Sequence, residues 1–139
     1  MDLETALSFA ARRTRGVLST IRRDGRPQLS NVMFVADGDT FSISVTEARA
    51  KTRNLRRDPR AVLYVPGEDF WNFVVLDGTA TLTEVASDVN DGAVDQLVDY
   101  YRRGAGEHPD WEEYRAMMVA ERRLLVRLLA TSAYGMLQA

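Results

Sequence analysis

The chain has 139 residues, 45% of them apolar, enough for one core without a linker, so residues 1–139 are expected to form a single domain. It contains no cysteine and one histidine, His108, which excludes thiol nucleophiles, disulfides, iron–sulfur clusters and cysteine zinc sites and leaves a histidine triad a single candidate. The net charge is −2, and the cations are 17 arginines and one lysine, Lys51.

Asp2 caps a predicted helix running to about Arg13, with Leu3, Ala6, Leu7 and Ala10 on one apolar face. Alternation from Gly16 to Arg22 predicts a strand, Asp24-Gly25 a hairpin turn, and Pro27 to Val35 a second strand. A third follows from Thr40 to Val45. Glu47 to Arg57 has helix formers throughout, lacks glycine and proline, and is closed by Asp58-Pro59, which predicts a short basic helix. Ala61 to Val65 reads as a fourth strand and Trp71 to Thr83 as a long fifth, bent or bulged at Gly78. Helices are expected from Asp88 to Arg103 and from Trp111 to Glu121 behind an Asp110 cap, and a last strand from Arg123 to Leu129. Six strands at short spacing with peripheral helices predict a mainly β, antiparallel barrel, and no GxGxxG or Walker loop is present.

No apolar stretch approaches the roughly 20 residues needed to span a bilayer, so no membrane partner is expected. Met1-Asp2-Leu3-Glu4 carries acid where a signal peptide needs positive charge, which predicts a cytoplasmic protein. His108 lies in Gly104-Ala105-Gly106-Glu107-His108-Pro109, a stretch that reads as a surface loop. With so few reactive side chains, redox chemistry would have to come from a bound cofactor. Carboxylates remain for hydrolysis, but no pair stands out among the 20 acids.

Residues 49 to 60 hold Arg49, Lys51, Arg53, Arg56, Arg57 and Arg60 against Asp58, a local charge of +5 that leaves −7 on the rest of the chain. A positive island on an acidic protein suits a compact anion and argues against nucleic acid as a partner. Arg49-Ala50-Lys51-Thr52-Arg53-Asn54-Leu55 follows a strand and enters a helix, where backbone N–H groups and cations converge on one anion, with phosphate the natural occupant. Arg49, Arg53 and Arg56 are expected on one helical face and Leu55 in the core. Spacing alone leaves a solvated arginine helix as the alternative.

The ordered set Gly16-Val17-Leu18-Ser19-Thr20-Ile21, Asp24-Gly25-Arg26-Pro27-Gln28-Leu29-Ser30-Asn31-Val32, and Arg49 to Arg60 resembles the flavin and deazaflavin oxidoreductases of split β-barrel fold. These are pyridoxamine 5′-phosphate oxidase-like proteins, and the resemblance is closest to the actinobacterial group that uses coenzyme F420. Asp77-Gly78-Thr79-Ala80, Asp110-Trp111-Glu112-Glu113-Tyr114-Arg115 and Tyr134-Gly135 extend it over about residues 15 to 135. It implies a six-stranded antiparallel split β-barrel of FMN-binding type. It also implies a homodimer with the cofactor between protomers, and hydride transfer to a conjugated small-molecule acceptor. F420 is the implied cofactor, with FMN as the alternative. Arg49 and Lys51 would hold phosphate and acidic tail. Gln28, Ser30, Asn31 and Val32 would lie beside the ring, Ser44, Val45 and Thr46 on the phosphate side, and Asn54 close by. Trp71 either walls the pocket or packs in a core or interface; Trp111 and Tyr114 read as core or dimer contacts. The chain departs from the oxidases in lacking an arginine and histidine after Arg127, so vitamin B6 oxidation is not expected. A carrier or sensor that holds the cofactor without turnover is the competing reading.

Overall fold

The computed structural model describes residues 1–138, which form seven strands and four helices. The strands are β1 (Arg15–Ile21), β2 (Pro27–Met33), β3 (Val35–Asp37), β4 (Thr40–Thr46), β5 (Arg60–Pro66), β6 (Phe73–Leu82) and β7 (Arg123–Met136). The helices are α1 (Leu3–Ala10), α2 (Ala50–Arg57), α3 (Gly92–Ala105) and α4 (Trp111–Ala120). All strand pairs are antiparallel, in the order β2-β1-β5-β6-β7-β4-β3, and the sheet curls into a half-barrel.

The strand count corrects the expected six. The predicted second strand, Pro27 to Val35, divides at Phe34, whose fully buried ring sits in the core and whose amide donates to the Thr14 carbonyl at 2.7 Å. Before that residue the chain pairs with β1; after it, Val35–Asp37 pairs with β4 at the opposite end of the strand order. One apolar run thus supplies both edges of the sheet and makes the split. Alternation cannot reveal this, because a buried aromatic continues the pattern through the break.

The last strand runs seven residues past its predicted end at Leu129, to Met136. Ala130, Ser132, Ala133 and Gly135 have weak strand signals, yet β6 holds this segment in register, from Leu76↔Ala133 to Phe73↔Met136. Two glycines make the close approach feasible. A Cβ on Gly78, at the predicted bulge, would lie 2.2 Å from the Leu129 carbonyl oxygen, and one on Gly135 would lie 2.3 Å from that of Phe73.

Inside the curl, Leu18, Phe34, Phe41, Ile43, Val45, Leu63, Leu76 and Leu128 form the main core, with Leu55 of α2 and Ala6 and Ala10 of α1 packed into it. A second cluster joins Val94, Leu97, Tyr100, Tyr114 and Met118 of α3 and α4 to Leu125 and Val35. These two helices therefore cover the outer face of β4 and β7. The outer face on the β2 side is left bare, with Leu29 64% and Tyr134 57% exposed. Among the described residues no helix is long and apolar enough to cross a membrane.

Candidate functional site

The split between β2 and β4 is closed at one end by α2 and flanked by α3 and α4. A cleft of about 380 Å³ lies there, lined by Asn31, Val32 and Met33 of β2, Ser44 of β4 and Lys51 of α2. Tyr100 and Tyr101 line it from α3, Tyr114, Met117 and Met118 from α4, and Glu121 and Arg123 at the start of β7. On the other side of the first turn of α2, Gln28, Ala50 and Asn54 border a wider cleft of about 710 Å³ whose remaining walls are Arg22, Arg23, Arg53, Arg56 and Arg57. Both volumes fall in the usual range for small-molecule sites.

The strand pleat sorts the expected ring contacts. Gln28, Ser30 and Val32 face inward with Thr20 and Leu18 of β1, while Asn31 points outward with Leu29 and Met33. Gln28 and Ser30 belong to a hydrogen-bonded chain. Arg57 Nη2 donates to Asn54 Oδ1 at 3.2 Å, Asn54 Nδ2 to Thr20 Oγ1 at 3.1 Å, Thr20 Oγ1 to Gln28 Oε1 at 2.8 Å and Gln28 Nε2 to Ser30 Oγ at 2.7 Å. The sequence marks Arg57 only as one cation of the basic island and does not assign Thr20 to the site, although Thr20 is a polar residue on the inward phase of β1. Val45 is 1% exposed and its side chain belongs to the core, so only its backbone reaches outward. The Thr46 carbonyl accepts from the Arg49 amide at 3.3 Å and the Thr52 hydroxyl at 2.7 Å, fixing the entry to α2.

Only part of the expected charge is free. Arg56 makes a double contact with Glu47 at 3.1 and 2.6 Å, and Arg60 pairs with Asp58 at 2.8 Å. Arg53 turns back to the Ala48 carbonyl and Arg57 to that of Ile21. The expected arginine face of α2 is thus largely committed within the protein. Arg49 and Lys51 have no ion-pair or hydrogen-bond partner for their side chains among the described residues. Burial, then Arg49 and Arg123 nearby, hold the Lys51 ammonium below the usual lysine range.

The start of α2 adds to this. Its N-cap is Arg49, with no side-chain hydrogen bond and no acid in the first turn. The amides of Ala50, Lys51 and Thr52 have no intrahelical acceptor, and the helix dipole places positive potential there. The donor set, two uncommitted cations and a bare helix end, fits a phosphate-bearing ligand.

Other expected residues lie apart. Trp71, 61% exposed, stands in the β5–β6 connection, edge-on to Phe70 at 4.9 Å, and lines neither cleft. His108 packs among Tyr101, Trp111 and Tyr114 in the α3–α4 connection and accepts from the Asp110 amide at 2.9 Å through Nδ1. The Tyr100 hydroxyl donates to the Met33 carbonyl at 3.0 Å and that of Tyr114 to the Leu97 carbonyl at 2.8 Å. Burial, with Tyr100 adjacent, pushes the Tyr114 hydroxyl up to about 12, so it stays protonated at neutral pH. Arg123 also escaped the sequence reading, since only the β4–β7 pairing brings it to the cleft.

Comparison with known proteins places this geometry. A structure described as an F420 reductase superposes with a TM-score of 0.65 at 22% identity, covering 91% of this chain and 94% of that one. A conserved hypothetical protein of Mycobacterium tuberculosis gives 0.71 at 24% identity over 96% and 82% of the two chains. The heme storage protein HutZ of Vibrio cholerae gives 0.65 at 18% over 97% and 95%. These likenesses establish the fold. The family profile described as pyridoxamine 5′-phosphate oxidase matches residues 3–134, nearly the whole sequence, and the chain therefore belongs to the pyridoxamine 5′-phosphate oxidase family.

Proposed function

We propose that the protein is an oxidoreductase that binds coenzyme F420, with FMN as the alternative, and reduces a conjugated organic acceptor. The observation that carries this reading is the uncapped start of α2, with the uncommitted Arg49 and Lys51, opening beside a cleft that also presents Asn31 and Ser44. Arg49, Lys51 and the first-turn amides would hold the phosphate; Asn31, Val32 and the Gln28–Ser30 network would border the ring. When bound, such a cofactor supplies hydride-transfer chemistry. The protein's part is position and electrostatics. The second cleft's Arg23, Arg53 and Arg57, which have no carboxylate partner among the described residues, favour a cofactor with an acidic tail over one ending at phosphate, and the likeness to an F420 reductase supports the same choice.

The bare outer face supports a homodimer. Leu29, Met33, Tyr134 and Met136 expose apolar surface there, and Phe70 and Trp71 stand in the β5–β6 connection beside Phe73 of the same face. A second copy would cover this face. The carrier reading draws on the commitment of Glu121, Tyr100 and Tyr114 to contacts within the protein.

The test is to titrate purified protein with F420 and FMN side by side, and then to follow oxidation of the reduced form with and without conjugated acceptors. F420 is expected to saturate one site per protomer and to bind more tightly than FMN. Failure of both to bind overturns the reading; binding without acceptor-dependent oxidation leaves the carrier.

A further inference from the structure

The cleft contains a cation that the reading above does not use. Arg123 opens β7 opposite Thr46, the residue whose carbonyl anchors the start of α2. Its Nε donates to Glu121 Oε1 at 2.7 Å and its Nη1 to Ser44 Oγ at 3.2 Å. A guanidinium has five N–H donors, so three are left over. Lys51 lines the same cleft, and Glu121 is the only carboxylate among the lining residues.

The backbone is shaped to deliver this side chain. Arg122 is the one non-glycine residue with positive φ among those described, at 51°, a conformation that costs any L-residue energy. Its carbonyl accepts from the Glu47 amide at 3.0 Å, in the loop that leads into α2. The turn that presents Arg123 is therefore tied to the loop that presents Arg49 and Lys51.

We propose that Arg123 joins Lys51 as an anion-binding residue of the cleft, with Glu121 as its counter-ion until the phosphate of an entering cofactor takes the place of that carboxylate. The inference rests on the anionic-cofactor reading. Bidentate recognition of phosphate is a natural task for a guanidinium. A second cation beside Lys51 would strengthen the hold on an anionic phosphate, and Glu121 would neutralise Arg123 in the empty site.

FMN and riboflavin differ by the phosphate alone, whereas F420 and its deazaflavin riboside core differ by phosphate and tail together, so the FMN pair is the one to use. Fluorescence titration of the intact protein with each ligand of the pair isolates the phosphate. R123Q is expected to weaken FMN about tenfold to a hundredfold while leaving riboflavin unchanged. R123K should recover part of the loss, and E121Q should bind FMN more tightly than wild type, again without effect on riboflavin. If R123Q does not fold, R123K carries the test, with a smaller selective loss expected. Equal losses for FMN and riboflavin, or none for either, would overturn the assignment of Arg123. Unchanged or weaker FMN binding by E121Q would overturn the counter-ion role. If the wild-type protein binds neither cofactor, the functional reading fails and this inference with it; wild-type binding with an indifferent Arg123 sinks this inference alone.

Discussion

Helices α3 and α2 begin with the same backbone requirement and meet it in opposite ways. At α3, the Asp91 carboxylate accepts from the amides of Ser87, Asp88 and Val94 and from the Ser87 hydroxyl. The Ser87 and Val94 amides hold its pKa down to about 2. At α2, Arg49 occupies the equivalent position with φ −71° and ψ 150°, close to the −80° and 167° of Asp91, yet caps nothing. Helices α1 and α4 follow α3, with Asp2 and Asp110 as caps. The α2 backbone is ready for a cap and the sequence withholds one. A bare helix end flanked by cations is unfavourable without an anion, and under the proposed function this terminus is where stability is traded for binding.

The largest effect expected from this contrast is on the α2 side. K51A should weaken F420 binding about tenfold to a hundredfold, the worth of a charge-assisted hydrogen bond, measured by fluorescence titration. R49A should act similarly. R26A, in the β1–β2 hairpin but lining neither cleft, should not, and equal losses from all three would mean diffuse electrostatics instead of a site.

On the α3 side the effect should fall on stability alone. D91A is expected to cost about 1 kcal/mol and about 4 °C in midpoint, read by thermal denaturation, with cofactor affinity unchanged. Because Asp91 titrates below its ordinary 3.8 when folded, its contribution is present above that pH and lost as pH falls toward 2. The stability difference between wild type and D91A should therefore shrink on acidification through that window. A difference that persists at pH 2 would contradict the capping role.

The smallest effect should come from the α3–α4 connection, outside both clefts. H108A loses an acceptor for the Asp110 amide and one ring of an aromatic cluster, but His108 lines neither cleft. Turnover with reduced cofactor should be nearly unchanged, whereas a loss of an order of magnitude would bring a general acid or base back into the account.

What could be read from the sequence follows the range of the forces involved. The Asp2 and Asp110 caps, the hairpin at Asp24-Gly25 and the alternation of Phe41, Ile43 and Val45 with Ser42 and Ser44 are local, and each stands where the pattern puts it, whereas α3 starts at Gly92 behind Asp91 and not at the expected Asp88. That same alternation sends Val45 into the core while Ser44 faces the cleft. The break at Phe34 and the extension of β7 through Ala130–Ala133 depend on partners far along the chain, so no local signal marks them. The site divides in the same way. Asn31, Val32, Ser44 and Lys51 meet in one cleft and Gln28 and Asn54 in the next, while Ser30, Val45, Thr46, Arg49 and Trp71 line neither. The sequence shows six cations around α2 but not which are spent. Glu47 claiming Arg56, and Arg57 reaching the Ile21 carbonyl, are settled by folding.

The central claim, that the α2 terminus is left uncapped for an anion, is tested most directly by one substitution read two ways. R49D places a capping side chain on a backbone already in the right conformation and removes a cation from the site. The thermal midpoint of the ligand-free protein should rise, by about 1 kcal/mol of stability, while F420 and FMN affinity falls by at least the loss seen for R49A. A variant that is no more stable, or that binds cofactor as well as wild type, would contradict the account.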